Sequence, residues 1–263
     1  MGKLHGTGKH SGMVAKVAIK QLKAGSKPGS KKEFLREAQF MVQLHQKNLC
    51  NIYGVCSTAE PILIVSELCE GGELKKYLPK NKRSSDITAE TLFQMMIQIC
   101  TGMEYIEAEE FIHRDLAARN ILVELHGDAG SVCKVGDFGL AVRADDNSNF
   151  HQGDVTQPVP IRWTAPEAIR RAEFSNKSDI WAFGIVLYEI ATFGADPYDG
   201  VSNKEVVDMV CDQGVRLPCP KEPRAPKGCP DACHAIMLQC WQHDPDDRPT
   251  FHELLPDLEA LAI

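Results

Sequence analysis

His113-Arg114-Asp115-Leu116-Ala117-Ala118-Arg119-Asn120 is the stretch on which the reading of this chain turns. Working outward, Asp137-Phe138-Gly139 and Ala165-Pro166-Glu167 follow it, and Val17-Ala18-Ile19-Lys20 precedes it. Any one short pattern arises by chance, but four in this order, on the elements expected for them, form a specific set. Lys20 lies in residues 14–22, whose β-branched content and partial alternation predict a strand. A loop around Gly25, Pro28 and Gly29 follows. Ser30 with Glu33 reads as a capping box that opens an amphipathic helix running to about Gln46. Residues 50–55 and 62–66, with a turn at 58–61, predict a hairpin. Gly71 and Gly72 mark a boundary, after which the pattern becomes mainly helical. Leu92, Met96, Ile99, Met103 and Ile106 recur at helical spacing behind Thr88 as N-cap. Residues 180–193, apolar on nearly every face, predict a buried central helix. Residues 234–242 predict another.

Composition bounds the class. Of 263 residues, 43% are hydrophobic and 25% charged, ordinary for a globular chain. A chain of this length buries about 70–75% of its unfolded surface and needs no disulfide or metal to build a core. Low hydrophobicity with high net charge is absent, which excludes disorder as the main state. Residues 180–193 are too few to span a bilayer and include Glu189, and no basic-then-apolar start is visible. Neither a membrane segment nor a secretory signal is expected. The net charge of −7 argues against nucleic acid as a partner. Residues 1–67 hold ten Lys/Arg against four Asp/Glu, and the remainder holds 19 against 32. Two lobes of opposite field are implied, and a phosphate ligand favours the first. Ten cysteines without a signal imply reduced thiols and a cytoplasmic setting. Cys229, Cys233 and His234 have zinc-like spacing without a complete set of four ligands.

On the four motifs, the chain resembles the protein kinase family over residues 17–251. The resemblance implies an α+β, two-lobed fold. A small β-rich N-terminal lobe with one main helix spans residues 1–67, and a larger helical C-terminal lobe spans 68–263. It also implies ATP and Mg2+ as cofactors. Phosphoryl transfer asks the protein mainly to position groups and neutralise charge. By resemblance, Lys20 contacts the α- and β-phosphates, and Glu37, mid-helix, pairs with that lysine. Asp115 accepts the proton of the substrate hydroxyl, and Arg119 is counted with Asp115 and Lys20 as catalytic. Asn120 and Asp137 are the metal ligands, oxygen donors that suit a hard cation. Ser66 guards the back of the adenine pocket. Glu67, Leu68 and Cys69 form the hinge, where backbone groups of Glu67 and Cys69 meet the adenine edge, and Ala18 and Leu122 sandwich the ring. His113 and Phe138 join an apolar spine with Met41 and Ile52. Arg248 pairs with Glu167, and Asp179 holds the backbone of the catalytic loop.

The type of kinase is also implied. Ser/Thr kinases carry a lysine two residues after the catalytic Asp, whereas here Ala117, Ala118 and Arg119 follow Leu116. That form, with Pro160-Ile-Arg-Trp-Thr-Ala-Pro-Glu167 and the closing motif over 240–251, is similar to protein tyrosine kinases. The implied function is transfer of the ATP γ-phosphoryl group to tyrosine hydroxyls of protein substrates. The alternatives are a Ser/Thr or dual-specificity kinase, or a nucleotide-binding interaction module with little turnover. Two departures stand out. Gly6, Gly8 and Gly12 lie too close to Lys20 for the family's Gly-rich loop and read as a turn between strands, so the chain is expected to begin after that loop. Residues 137–167 contain no tyrosine. Arg114 resembles the receiver of a loop phosphate, which leaves Ser148 or Thr156, or the fixed charges of Asp145 and Asp146, to fill that place.

Overall fold

The β-branched run around Lys20 forms a strand. The computed structural model describes residues 1–5, 14–22, 30–127, 130–144, 150–154, 157–221 and 231–262. Strand β1 (Gly2–His5) pairs with β2 (Val14–Gln21), and β3 (Ile52–Cys56) with β4 (Leu63–Glu67). β2 and β4 join them into a four-stranded antiparallel sheet of order β1-β2-β4-β3. The predicted hairpin is thus present, while the turn expected over Gly6, Gly8 and Gly12 lies outside the described residues. Helix α1 (Ser30–Met41) packs on this sheet, with Phe34 and Ala38 buried against Ile62 and Ile64. The Ser30 and Glu33 side chains of the expected capping box also lie outside the described set.

α1 stops at Met41, not Gln46. The amides of Gln43 and Leu44 reach back only three residues, to Phe40 O (3.0 Å) and Met41 O (3.4 Å). This tightening ends the helix. The chain then carries Leu44 and Leu49 into the core of the larger lobe. The apolar spacing that extended the predicted helix belongs to a different core.

Beyond Gly71, β5 (Gly72–Glu73), β7 (Ile121–Leu125) and β8 (Ser131–Val135) make a small antiparallel sheet. α2 (Leu74–Asn81) and α3 (Ala89–Ala108) follow β5. Thr88 caps α3 reciprocally with Thr91, as its position predicted. Two short ladders pair β6 (Phe111–Ile112) with β9 (Val142–Arg143) and β10 (Phe150–Gln152) with β11 (Glu173–Ser175). The remaining helices are α4 (Pro166–Arg171), α5 (Asn176–Ala191), α6 (Asn203–Val207), α7 (Asp231–Cys240) and α8 (Phe251–Leu261).

α5 is the predicted central helix, and every residue from Ser178 to Ala191 is buried. It starts four residues before the apolar run because Ser175 and Ser178 cap each other. α7 likewise opens three residues early, with Asp231 in its first turn. The two helices touch at Gly184, where an added Cβ would lie 2.5 Å from Trp241 Nε1 and 2.8 Å from Cys240 Cβ. Alanine in a helix gains up to about 1 kcal/mol over glycine. Overpacking a rigid interior costs about 1–3 kcal/mol, and here the neighbours are an indole ring and a Cβ, which cannot swing aside. Gly184→Ala is therefore expected to lower the midpoint of chemical denaturation. An unchanged or higher midpoint would show that this contact can relax.

Candidate active site

Lys20 on β2 donates to both carboxylate oxygens of Glu37, at 2.7 and 2.8 Å, and to Asp137 Oδ1 at 3.1 Å. Glu37 lies on the α1 face that buries Phe34, Ala38 and Met41 and is itself buried, so helical spacing delivers it to the sheet. Burial pulls the Lys20 ammonium down, but the bonds and charges of Glu37 and Asp137 outweigh it and leave it above its usual value. Burial pushes the Glu37 carboxyl up against the pull of Lys20. Both shifts are upward, which favours the charged form of Lys20 but the neutral form of Glu37. One ammonium bonded to both oxygens is the geometry of an ionised carboxylate, so the upward shift of Lys20 describes the pair.

Asp137 sits in the left-handed region, at φ 56° and ψ 68°, which Asp tolerates better than most residues. Its side chain stays half exposed beside Lys20, while Phe138 is buried with its ring 5.1 Å from that of His113. His113 Nδ1 accepts from the Asp115 amide (3.3 Å), and Nε2 lies 3.1 Å from Gly136 O. These partners make Nε2 the protonated nitrogen of a neutral ring. Arg119 pairs with Asp115 Oδ1. Asn120 Nδ2 donates to Asp115 O (2.7 Å) and Oδ2 (2.8 Å). Both amide hydrogens are spent there, which leaves the Asn120 oxygen as a donor for a cation. Lys20, Glu37, Asp115 and Asp137 line one cavity of about 300 Å³ with Phe34, Gly139 and Leu140.

The loop is held from below. Asp179 on α5 accepts from the amides of His113 (2.7 Å) and Arg114 (3.0 Å). Burial pushes its carboxyl up, and these two amides and the charge of Arg114 oppose that. Arg248 is fully buried and donates to Glu167 at 2.7 and 2.9 Å. Both contacts match the expectation from sequence.

Around the expected adenine pocket, Ala18 faces Ser66 across the β2–β4 ladder, and Leu122 faces Lys134. The Glu67 side chain accepts from Lys134 (3.0 Å) and from the Asn51 amide (2.6 Å). Cys69 is buried, and a hydrogen bond with the free thiol of Cys50, then burial, pushes its own thiol up. Cys229 lies outside the described residues, and His234 Nε2 is 3.0 Å from Leu217 O. Among the described residues no group of three or more His, Cys, Asp or Glu is arranged to hold a metal. The Arg114 guanidinium stacks 4.3 Å from the centre of the Phe174 ring, whereas Asp145, Asp146, Ser148 and Thr156 lie outside the described residues. Glu189 and Trp163 were given no role by the sequence reading, yet Glu189 meets Lys75, Ala118 and Trp163 here. One signal was available: a lone carboxylate inside the apolar run 180–193 must find partners.

A family model for protein tyrosine and serine/threonine kinases matches residues 1–258. The chain belongs to that family. It is therefore an ATP-dependent phosphotransferase that works with a divalent metal. Its relatives include the tyrosine-protein kinase SRK3 of Spongilla lacustris, 47% identical over 94% of this chain and 69% of the relative. The tyrosine-protein kinase FRK of Homo sapiens is 44% identical over 92% of this chain and 46% of its own length. The tyrosine-protein kinase abl-1 of Caenorhabditis elegans is 43% identical over 93% and 19%. The chain thus spans from a fifth to two thirds of these relatives. No described helix is long and apolar enough to cross a membrane.

Removing the Asp179 carboxylate orphans two amides in a buried setting, at about 1–3 kcal/mol each. Asp179→Ala should unfold at distinctly lower denaturant, and Asp179→Asn, which keeps one acceptor oxygen, should fall between it and wild type. Equal midpoints for all three would mean that the loop does not depend on this anchor.

Proposed function

We propose that this chain transfers the γ-phosphoryl group of ATP to tyrosine hydroxyls of protein substrates. The observation that carries the reading is the convergence of Lys20, Glu37, Asp115 and Asp137 on one cavity. Residues 1–67 and 68–263 act as its two lobes, with ATP between them. Lys20, held by buried Glu37, presents its charge to the α- and β-phosphates. Its bond to half-exposed Asp137 involves the carboxylate that would hold the cation, so Asp137 could exchange Lys20 for a bound metal. Asp115 accepts the proton of the substrate hydroxyl, held by Arg119 on one oxygen and Asn120 on the other. Ala18 and Leu122 sandwich the adenine, Ser66 stands behind it, and backbone groups of Glu67 and Cys69 meet its edge.

The donor set fits Mg2+. One carboxylate, Asp137, and one amide oxygen, Asn120, suit a hard cation that keeps several waters and takes the rest of its ligands from phosphates. Bound there, the metal neutralises phosphate charge that Lys20 alone cannot balance. Tyrosine as acceptor rests on the Ala117-Ala118-Arg119 form and on relatives named tyrosine-protein kinases.

Asp115→Asn and Asp137→Ala should each cut phosphoryl transfer to a tyrosine-containing peptide by at least about 10²-fold, the lower end of the effect of a positioned proton acceptor. Circular dichroism should be unchanged. Turnover near wild type in either folded variant would remove the assigned roles. Acid hydrolysis of the wild-type product should yield phosphotyrosine, and phosphoserine or phosphothreonine as the main product would favour the Ser/Thr alternative.

A further inference from the structure

Glu189 has no solvent exposure and stands near the end of α5, within the apolar run that follows Asp179. Unpaired, such a carboxylate would be costly to bury. Its Oε1 takes a 3.1 Å bond from the Lys75 ammonium on α2. Lys75 also reaches Asp196 (2.8 Å) and Ala195 O (3.2 Å), so that cation has a second acid of its own. Glu189 Oε2 does something different. It accepts from the Ala118 amide and from the Trp163 indole N–H, both at 2.9 Å. One oxygen atom therefore joins the loop that carries Asp115 to the segment just before Ala165-Pro166-Glu167.

The contact continues on the face of the indole. The Arg119 guanidinium lies 4.5 Å from the centre of the Trp163 ring, and Arg119 in turn pairs with Asp115. A cation on a ring face is attracted by the ring quadrupole, but a ring free to tilt would let the cation move with it. The charge-assisted bond from Trp163 to Glu189 fixes the tilt of the indole, because its N–H has one direction and its acceptor sits on a helix packed all round.

We propose that Glu189 is a positioning residue for phosphoryl transfer. It fixes the Trp163 ring, the ring fixes Arg119, and Arg119 aims the Asp115 carboxylate at the substrate hydroxyl. The proposal rests on the reading of Asp115 given above. It assigns Glu189 no contact with substrate, ATP or metal. A purely structural Glu189 would hold the fold together without altering the reactivity of Asp115, so the test separates kcat from stability.

Glu189→Gln keeps the shape and one acceptor oxygen but removes the charge, and Lys75 retains Asp196. Trp163→Phe keeps the ring face for Arg119 and removes only the N–H. Each variant should lower kcat for a tyrosine peptide about 10- to 100-fold, the scale of a displacement near 1 Å, with the KM for ATP within about twofold of wild type. In ¹⁵N-labelled protein the Trp163 indole N–H resonance, assigned by its loss in Trp163→Phe, should move upfield in Glu189→Gln. In an Arg119→Ala background, Trp163→Phe should cost little more, because the element through which it acts is gone. A kcat within twofold of wild type in either folded single variant would overturn the proposal, as would a full additional loss in the Arg119→Ala background. Should Glu189→Gln fail to fold, Trp163→Phe alone decides by the same criteria. If Asp115→Asn leaves turnover intact, the reading of the site fails before this proposal is reached. If Asp115→Asn is inactive and these variants are not, only the positioning role fails.

Discussion

Two amides at the start of the loop that carries Asp115, those of His113 and Arg114, end on the carboxylate of Asp179 in the first turn of α5. Most of the remaining geometry depends on that connection. α5 is buried from Ser178 onward, and a helix in such a setting has almost no freedom to shift, because protein interiors are close-packed. Asp179 holds the loop near one end of the helix, and Glu189 holds Ala118 near the other. At about 1.5 Å per residue, the backbone positions of the two residues stand some 15 Å apart along one rigid rod. The loop between the grips carries Asp115, and Asn120 follows immediately.

The ion pairs of the molecule differ in what they accomplish. Arg248 and Glu167 are both buried and meet through two bonds. Removing one partner from such a pair strands a charge, at about 3–5 kcal/mol. Lys16 and Glu70 lie 3.0 Å apart with both side chains largely exposed, where a pair contributes about 0–1 kcal/mol. Lys20 and Glu37 fall between these, with a buried carboxylate and a half-exposed ammonium. That asymmetry suits a site where the lysine faces an anionic ligand while its partner stays fixed.

Much of this was legible in the sequence. The hairpin of the small lobe, the cap at Thr88 and the central helix follow from alternation, spacing and polarity. The meeting of Lys20 with Glu37, and of Arg248 with Glu167, followed from family resemblance; nothing in local pattern says that residues 81 apart will touch. The end of α1 at Met41 was misread because Leu44 keeps helical spacing while belonging to another core. Local periodicity carries no information about which core a side chain will enter. Glu189 was read only as a mark against a membrane span. Its partners Lys75, Ala118 and Trp163 come from three separate segments, so only the folded chain shows that its oxygens have three donors waiting.

Amide hydrogen exchange tests the central claim, that the loop carrying Asp115 hangs from a helix that does not move. Exchange in a surface loop needs only local opening, whereas amides bonded into a core exchange with the opening of the whole unit. The account predicts that the amides of His113, Arg114 and Ala118 exchange as slowly as those in the middle of α5. Their protection should fall together with that of α5 as denaturant is added. Exchange of those three amides at loop rates, while α5 remains protected, would contradict it.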